Sequence, residues 1–166
     1  MVSQAFRDTV YMWFLILHIP ATLVIDIQAL FFAESVSPAF LRQPFLYARR
    51  DDPLLQNANS PLFAWFQSFI ILETIFQLPV FFLGIQGLRR GSRSIYPLLA
   101  IYGASSATTT WACLATVLTM PGITHQLPVL LASYVPFLLV PLAMAVDYGI
   151  RLAGIARVAA EKGKYE

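Results

Sequence analysis

The chain has 166 residues, of which 58% are hydrophobic and only 12% are charged. Soluble domains carry roughly 25% charged residues, so this composition predicts an integral membrane protein. The net charge of +2 is too small to indicate nucleic-acid binding. The single cysteine, Cys113, excludes an intramolecular disulfide. The sequence also contains no hydrolase, nucleotide-binding or metal-ligating motif, so we predict neither a cofactor nor a metal site.

Four long apolar runs predict four transmembrane helices. Each can cross about 30 Å of hydrocarbon, because a helix rises about 1.5 Å per residue. The first run is too long for the core of a signal peptide, and no small-residue cleavage site follows it, so we expect it to be retained. The predicted helices span roughly residues 11–32, 62–88, 96–120 and 127–150. The predicted fold is an all-α membrane four-helix bundle, with the whole chain, 1–166, as one domain.

The connection between the first two helices, residues 33–60, is the longest in the chain. It contains several prolines and aromatic residues, which predicts a folded lid rather than a loose linker. Eight of the 11 Lys and Arg residues lie before helix 1, between helices 2 and 3, or after helix 4, and the other three lie in 33–60. By the positive-inside rule, both termini are predicted to be cytosolic and the lid to be luminal.

The residues after the fourth helix, 151–166, are predicted to form a cytosolic tail that ends in KGKYE. Its lysines, Lys162 and Lys164, match the KxKxx pattern for retrieval to the endoplasmic reticulum. This interpretation predicts a multi-pass protein of the endoplasmic reticulum membrane. The alternative is a solvated basic tail that is attracted by anionic lipid.

Two carboxyl groups, Asp26 and Glu73, lie within predicted transmembrane helices. Ionisable side chains in hydrocarbon are strongly unfavourable and normally face the interior of a bundle. Helices 1 and 2 are predicted to be antiparallel, with the two carboxyls within about one turn of each other in height. No Lys or Arg lies in the central part of any predicted helix. We therefore expect one acid to donate a proton to the other, leaving about one negative charge for a cationic ligand or for proton transfer.

The alternative is that the two carboxyls only hold the helices together, although Asn or Gln would do so with less desolvation. His18 lies two turns before Asp26, and we predict a structural role for it. Pro20 lacks an N–H group and so frees the carbonyl of Ile16, which a histidine can satisfy. Tyr134 either directs its hydroxyl into a cavity or packs against lipid, and the sequence leaves both open.

Four stretches carry a family resemblance: HIPATLVIDIQA (18–29), DPLL (52–55), AWFQSFIILETIFQLPVFF (64–82) and YVPFLLVPL (134–142). They closely resemble the sigma-2 receptor family, also called the transmembrane protein 97 family, of the EXPERA superfamily. The resemblance implies a four-helix protein of the endoplasmic reticulum membrane that binds sterols and cationic amphiphilic amines and is linked to cholesterol homeostasis. It also implies a homodimer and an association with a lysosomal cholesterol transporter.

The resemblance also assigns roles to individual residues. Asp26 matches the salt-bridge partner of the ligand amine, and Glu73 matches a protonated glutamate that hydrogen-bonds to it. Asp52 matches a loop aspartate with a structural role at the lid. Phe137 stands where the family has a tyrosine, so we expect an altered ligand preference. The other pocket-lining positions are Gln77, Thr110 and Tyr134.

Two functions follow as hypotheses. The first is a membrane receptor for sterols and cationic amphiphiles, with no catalytic residue. The second is a sterol double-bond (Δ8–Δ7) isomerase, in which the same carboxyl pair supplies an acid and a base. The isomerase branch implies further histidine and glutamate groups in the cavity, whereas this chain has only His18 and His125, which favours binding over catalysis. A proton-coupled transporter needs two access states, and no inverted repeat supports one.

Overall fold

The computed structural model describes residues 3–31 and 38–162, and every regular element within them is helical. The all-α prediction is therefore confirmed for this part of the chain. The helices are α1 (Gln4–Phe31), α2 (Ala39–Asp51), α3 (Pro53–Gln56), α4 (Pro61–Arg89), α5 (Tyr96–Thr119) and α6 (Leu127–Lys162).

Three of the described helices, α1, α4 and α6, are long and apolar enough to cross a membrane. Helix α5 has 24 residues, a length of about 36 Å. Its middle part is more polar, because five hydroxyl side chains lie between Ser105 and Thr110. The composition therefore supports a membrane protein with three spans, and the fourth span stays a prediction.

Two predicted boundaries differ from the structure. Helix α1 begins at Gln4 rather than near 11, since Ser3 caps it by accepting a hydrogen bond from the backbone N–H of Phe6 at 3.2 Å. Helix α6 does not end near 150 but continues to Lys162. Most of the predicted tail is thus helical, while residues 163–166 of the predicted retrieval signal lie outside the described residues.

An ion-pair cluster joins the start of α1 to α6 near residue 150. Arg151 forms hydrogen-bonded ion pairs with Asp8 at 2.6 Å and with Asp147 at 2.5 Å. Asp147 also pairs with Arg7 at 2.7 Å. These contacts attach the first turns of α1 to the 147–151 turn of α6. Sequence reasoning used Arg7 and Arg151 only as markers of orientation, and it missed their two acidic partners.

Two close helix pairs build the bundle. A Cβ atom on Gly103 of α5 would lie 2.5 Å from the carbonyl oxygen of Pro141, so α5 and α6 approach at backbone contact distance there. Helix α1 packs against α4 through side chains, since a Cβ on Gly84 would lie 2.8 Å from Leu15 Cδ1. Glycine is needed at position 103, because there a side chain would meet the backbone of α6.

Helices α1 and α4 each contain one π-helical turn, at Thr22–Asp26 and Glu73–Gln77. In each turn a backbone N–H bonds the carbonyl five residues earlier: Ile27 to Thr22, and Leu78 to Glu73. A proline lies close to both turns, Pro20 before the first and Pro79 after the second. Proline removes a regular helical hydrogen bond, which favours such a local change of pitch. The widened turns coincide with the two predicted carboxyl positions.

The described part of the connecting segment, 38–60, consists mainly of α2 and α3. Its core residues Phe45 and Leu54 are only 4% and 0% exposed and pack with the fully buried part of the bundle. Gln28 of α1 donates to the carbonyl of Leu41 at 3.1 Å, and Gln67 of α4 donates to that of Ala58 at 2.8 Å. The segment is thus a folded lid on the helices, and its luminal location stays a prediction.

Candidate functional site

A cavity of about 320 Å³ lies between the helices and beneath the lid. Helices α1, α4, α5 and α6 all contribute to its wall, and the lid contributes residues between Tyr47 and Leu55. Four acidic side chains line it. They are Asp26, Asp51, Asp52 and Glu73. The cavity therefore brings together the two carboxyls that the sequence singled out and two more from the lid.

Glu73 is held by residues of the facing helix. The hydroxyl of Thr22 donates a hydrogen bond of 2.5 Å to Glu73 Oε1, and His18 Nε2 lies 3.5 Å from the same oxygen. Glu73 begins the π turn of α4, and Thr22 begins that of α1. The first two long helices thus face each other through these polar side chains.

Asp26 lies at the end of the π turn of α1 and faces the same cavity as Glu73. Among the described residues, no side-chain hydrogen bond joins Asp26 to Glu73. Oε1 of Glu73 accepts the Thr22 hydrogen bond, and the sharing of a proton between the two acids stays a prediction. Asp26 remains available to a molecule in the cavity.

The prediction that His18 satisfies a backbone carbonyl was wrong. Its Nδ1 atom lies 3.0 Å from the hydroxyl of Tyr102, and its ring lines the cavity. The ring stacks on Phe81 with centroids 4.6 Å apart and meets the edge of Phe137 at 4.6 Å. These contacts leave the histidine 6% exposed and direct both of its nitrogens to polar side chains. Pro20 keeps its predicted structural place in α1, just before the π turn.

Asp52 joins the lid to α6. Its Oδ1 atom accepts hydrogen bonds from the backbone N–H groups of Leu54 at 2.8 Å and Leu55 at 3.3 Å, so it caps α3. Its Oδ2 atom accepts a bond of 2.6 Å from the Tyr134 hydroxyl. Burial raises the pKa of this carboxyl, and the hydrogen bonds from Tyr134, Leu54 and Leu55 oppose the rise only in part.

The remaining predicted site residues divide between the cavity and the core. Thr110, Tyr134 and Phe137 line the cavity. Of the two orientations that the sequence allowed for Tyr134, the structure has the hydroxyl bonded to Asp52 instead of pointing to lipid. Gln77 is not among the lining residues. It is 3% exposed, and its amide nitrogen lies 3.4 Å from the hydroxyl of Ser105, so it joins α4 to α5.

Sequence reasoning missed the role of Tyr102, which is fully buried next to His18. A tyrosine in an apolar helix fits lipid contact and internal packing equally well, so the sequence carries no signal that separates them. The bond of Thr22 to Glu73 could not be predicted either, because it depends on the facing register of α1 and α4.

Similarity to known proteins shows the family of this chain. The sequence profile of EXPERA (EXPanded EBP superfamily) matches residues 38–148, about two thirds of the chain. The chain belongs to the EXPERA family. The matched range contains Asp52, Glu73 and Tyr134, whereas His18 and Asp26 precede it.

Curated relatives of this EXPERA protein confirm the more specific resemblance. Sigma intracellular receptor 2 from Homo sapiens and from Macaca fascicularis are each 32% identical to it over 143 residues, which covers 78% of this chain and 79% of either relative. Efficient mitochondria targeting-associated protein 19 from Schizosaccharomyces pombe is 28% identical over 153 residues, covering 90% of this chain and 79% of that protein.

Proposed function

We propose that this EXPERA protein is a receptor of the endoplasmic reticulum membrane that binds sterols and cationic amphiphilic amines in its cavity. The observation that carries the proposal is the charge of the cavity wall: four carboxyl groups face it, and no Lys or Arg is among its described lining residues. Asp52 is engaged by the lid, and Asp51 lies 3.3 Å from the side chain of Arg50. Asp26 and Glu73 therefore remain to meet a cation.

In this proposal the ammonium group of the ligand pairs with ionised Asp26. Two close carboxyls in a low-dielectric cavity share a proton, so the pair carries about one negative charge. Oε1 of Glu73 already accepts the Thr22 hydrogen bond, which leaves Oε2 as the oxygen that can hold the proton. The family resemblance assigns the charge to Asp26 and the supporting role of a hydrogen-bonded acid to Glu73.

A sterol suits the rest of the cavity. Its volume of about 320 Å³ falls within the range of roughly 300–1,000 Å³ that small-molecule sites occupy. Phe66, Phe69, Leu130 and Phe137 provide large apolar surfaces for a rigid ring system. Thr110 provides a hydroxyl group within this wall. A sterol therefore needs no ionised carboxyl for its main contacts, unlike an amine.

The single cysteine allows a direct test. Cys113 lines the cavity, so its reaction with a membrane-permeant maleimide measures whether the cavity is occupied. We expect a cationic amphiphile and a sterol each to slow labelling of the wild type. Asp26→Asn should abolish protection by the amine and keep protection by the sterol, because asparagine is neutral and of nearly the same size. Glu161→Gln, at an exposed carboxyl near the end of α6, is the matched control.

Either part of the proposal can fail separately. Amine protection that is unchanged in Asp26→Asn would remove Asp26 as the anionic partner. Labelling of the wild type at the same rate with and without sterol would remove the sterol part.

A second candidate function is the sterol Δ8–Δ7 isomerase. The observation that favours it is the presence of two carboxyl groups and a histidine in the wall of one cavity, since moving a double bond needs one group to donate a proton and another to remove one. The purified protein would be incubated with a Δ8-sterol and the product analysed for the Δ7 isomer. Conversion that is lost in Glu73→Gln would establish the isomerase, and no conversion by the wild type would exclude it.

The proposal also includes a cellular location, partners and a physiological role. These parts rest on the family and on the tail sequence. We propose retrieval to the endoplasmic reticulum through Lys162 and Lys164, a homodimer, association with a lysosomal cholesterol transporter, and a part in cholesterol homeostasis. Replacing both lysines with serine should move the protein out of the endoplasmic reticulum, as seen by imaging. An unchanged location would exclude the retrieval signal. Co-purification of two differently tagged copies tests the homodimer.

A further inference from the structure

The ring of His18 is a tightly enclosed polar group in the wall of the cavity. It is 6% exposed. Phe81 stacks on one side of it, while Phe14 and Phe137 meet it edge-on at 5.2 and 4.6 Å. Apolar rings thus surround its faces and edges, and only its two nitrogens reach polar atoms. Its orientation is therefore set before any ligand enters.

Tyr102 determines what the Nδ1 nitrogen can do. Its hydroxyl lies 3.0 Å from that atom and is fully buried. A neutral imidazole has one N–H donor and one bare nitrogen, whereas a phenol can donate or accept. The phenol therefore donates its proton to Nδ1 when that nitrogen is the bare one.

The opposite nitrogen then carries the imidazole proton. Nε2 lies 3.5 Å from Glu73 Oε1, which is longer than a strong hydrogen bond but within electrostatic reach. Thr22 donates to this same oxygen at 2.5 Å. Two donors directed at Oε1 make it the acceptor oxygen of the carboxyl, so Oε2 is the oxygen left for a proton or a ligand.

We propose that His18 is a positioning residue for Glu73: Tyr102 orients its ring with the proton on Nε2, and the histidine fixes which oxygen of Glu73 serves the ligand site. The expected consequence is tighter binding of a cationic amphiphile, and this part alone rests on the proposed receptor function. The arrangement of Tyr102, His18 and Glu73 itself needs no ligand.

The protonation state can be measured without any ligand, because the chain has only two histidines. In His125→Gln, labelling with 15N-histidine places the signal on His18 alone. We expect NMR at neutral pH to show a neutral ring with Nε2 protonated and Nδ1 bare. Tyr102→Phe in the same background removes the donor and should give a mixture of both neutral tautomers. Tyr96→Phe is the matched control, since it removes a buried hydroxyl of α5 that bonds Gln4 instead.

A charged imidazolium, a ring with its proton on Nδ1, or a spectrum that is the same in Tyr102→Phe would overturn the proposal. These outcomes do not depend on whether the receptor function is correct. Failure of the wild type to bind any cationic amphiphile would instead remove the receptor function and leave the histidine spectrum as it is.

The positioning role predicts a specific coupling in affinity. His18→Leu should weaken binding of a cationic amphiphile roughly tenfold, the size of one lost hydrogen bond. His18→Gln, which can still direct an N–H group at Glu73, should recover most of this loss. In a Glu73→Gln background, His18→Leu should cause no further loss, because its effect passes through Glu73. An equal loss in both backgrounds would mean that His18 contacts the ligand directly, which would contradict the proposal.

Discussion

Tyr134 of α6 donates a hydrogen bond of 2.6 Å to Asp52 of the lid, across 82 positions of sequence. The same carboxyl group caps the short helix α3 through Leu54 and Leu55. One side chain thus organises the lid and attaches it to the bundle, directly beside the cavity.

Tyr134→Phe should loosen this attachment. The variant loses one hydrogen bond to a buried carboxyl group, which corresponds to about 1–3 kcal/mol of unfolding free energy. We expect a lower thermal midpoint in detergent and faster proteolysis within residues 38–60. Tyr47→Phe is a suitable control because that ring is 68% exposed. Equal thermal midpoints for Tyr134→Phe and the wild type would show that the bond does not hold the lid.

Asp52 should make stability depend on pH. Its native pKa is raised by burial, so the folded state holds the proton more tightly than the unfolded state does. The resulting stabilisation is complete below the unfolded pKa of roughly 3.9 and is lost as pH rises through the native pKa. Asp52→Asn keeps the oxygen that caps α3 but cannot titrate. Relative to the wild type, its thermal midpoint should therefore be higher at pH 7 than at pH 4.

The comparison with Asp52→Ala separates titration from capping. Alanine removes the cap as well, and a lost N-cap destabilises by about 0.5–2 kcal/mol. This variant should be less stable than Asp52→Asn at both pH values. A difference between Asp52→Asn and wild type that does not change with pH would contradict the titration of Asp52.

Gly103→Ala should separate α5 from α6. The added Cβ would lie 2.5 Å from the Pro141 carbonyl oxygen and 2.7 Å from the backbone nitrogen of Ala145, and neither atom can move as a side chain can. Overpacking of this kind typically lowers stability by about 1–3 kcal/mol. Gly149→Ala in α6 meets nothing within 4 Å, so it should be neutral or slightly stabilising. Thermal unfolding of both variants checks the prediction, which fails if the two respond alike.

Arg151→Met should strongly destabilise the junction of α1 and α6. The arginine side chain is 9% exposed and pairs with both Asp8 and Asp147. Removing one partner of a buried ion pair leaves uncompensated charge, which typically costs about 3–5 kcal/mol. Arg157→Met, at an exposed position of the same helix, should have little effect. Adding Asp8→Asn to Arg151→Met should recover part of the loss, and no recovery would count against this electrostatic explanation.

The positions of the helices could be predicted because each long apolar run leaves only one way to satisfy its backbone groups in a membrane. The starts of α4 and α5, at Pro61 and Tyr96, agree with the predicted 62 and 96. The ion-pair cluster of α6 could not be predicted, because Arg151 appears in the sequence as an ordinary flanking charge. Its two acidic partners become visible only when α1 and α6 are side by side.

The candidate site also has residues that the sequence identified and residues that it did not. Asp26 and Glu73 were recognisable from the sequence, since a carboxyl group in an apolar helix is too unfavourable to lack a role. The partners of Glu73 were not recognisable, because Thr22 and His18 reach it only through the facing register of α1 and α4. Gln77 was assigned to the cavity by resemblance, but it ends the π turn of α4 with its amide against Ser105 of α5.

The sequence by itself determined that this chain is a helical membrane protein of the EXPERA family with two acidic groups among apolar residues. Hydropathy and local motifs are properties of single segments, so one sequence can carry them. Only the tertiary structure decided that His18 serves Tyr102 and Glu73 rather than a backbone carbonyl, and that Asp52 ties the lid to Tyr134. Such contacts join positions far apart in the chain, and their geometry depends on how the helices pack.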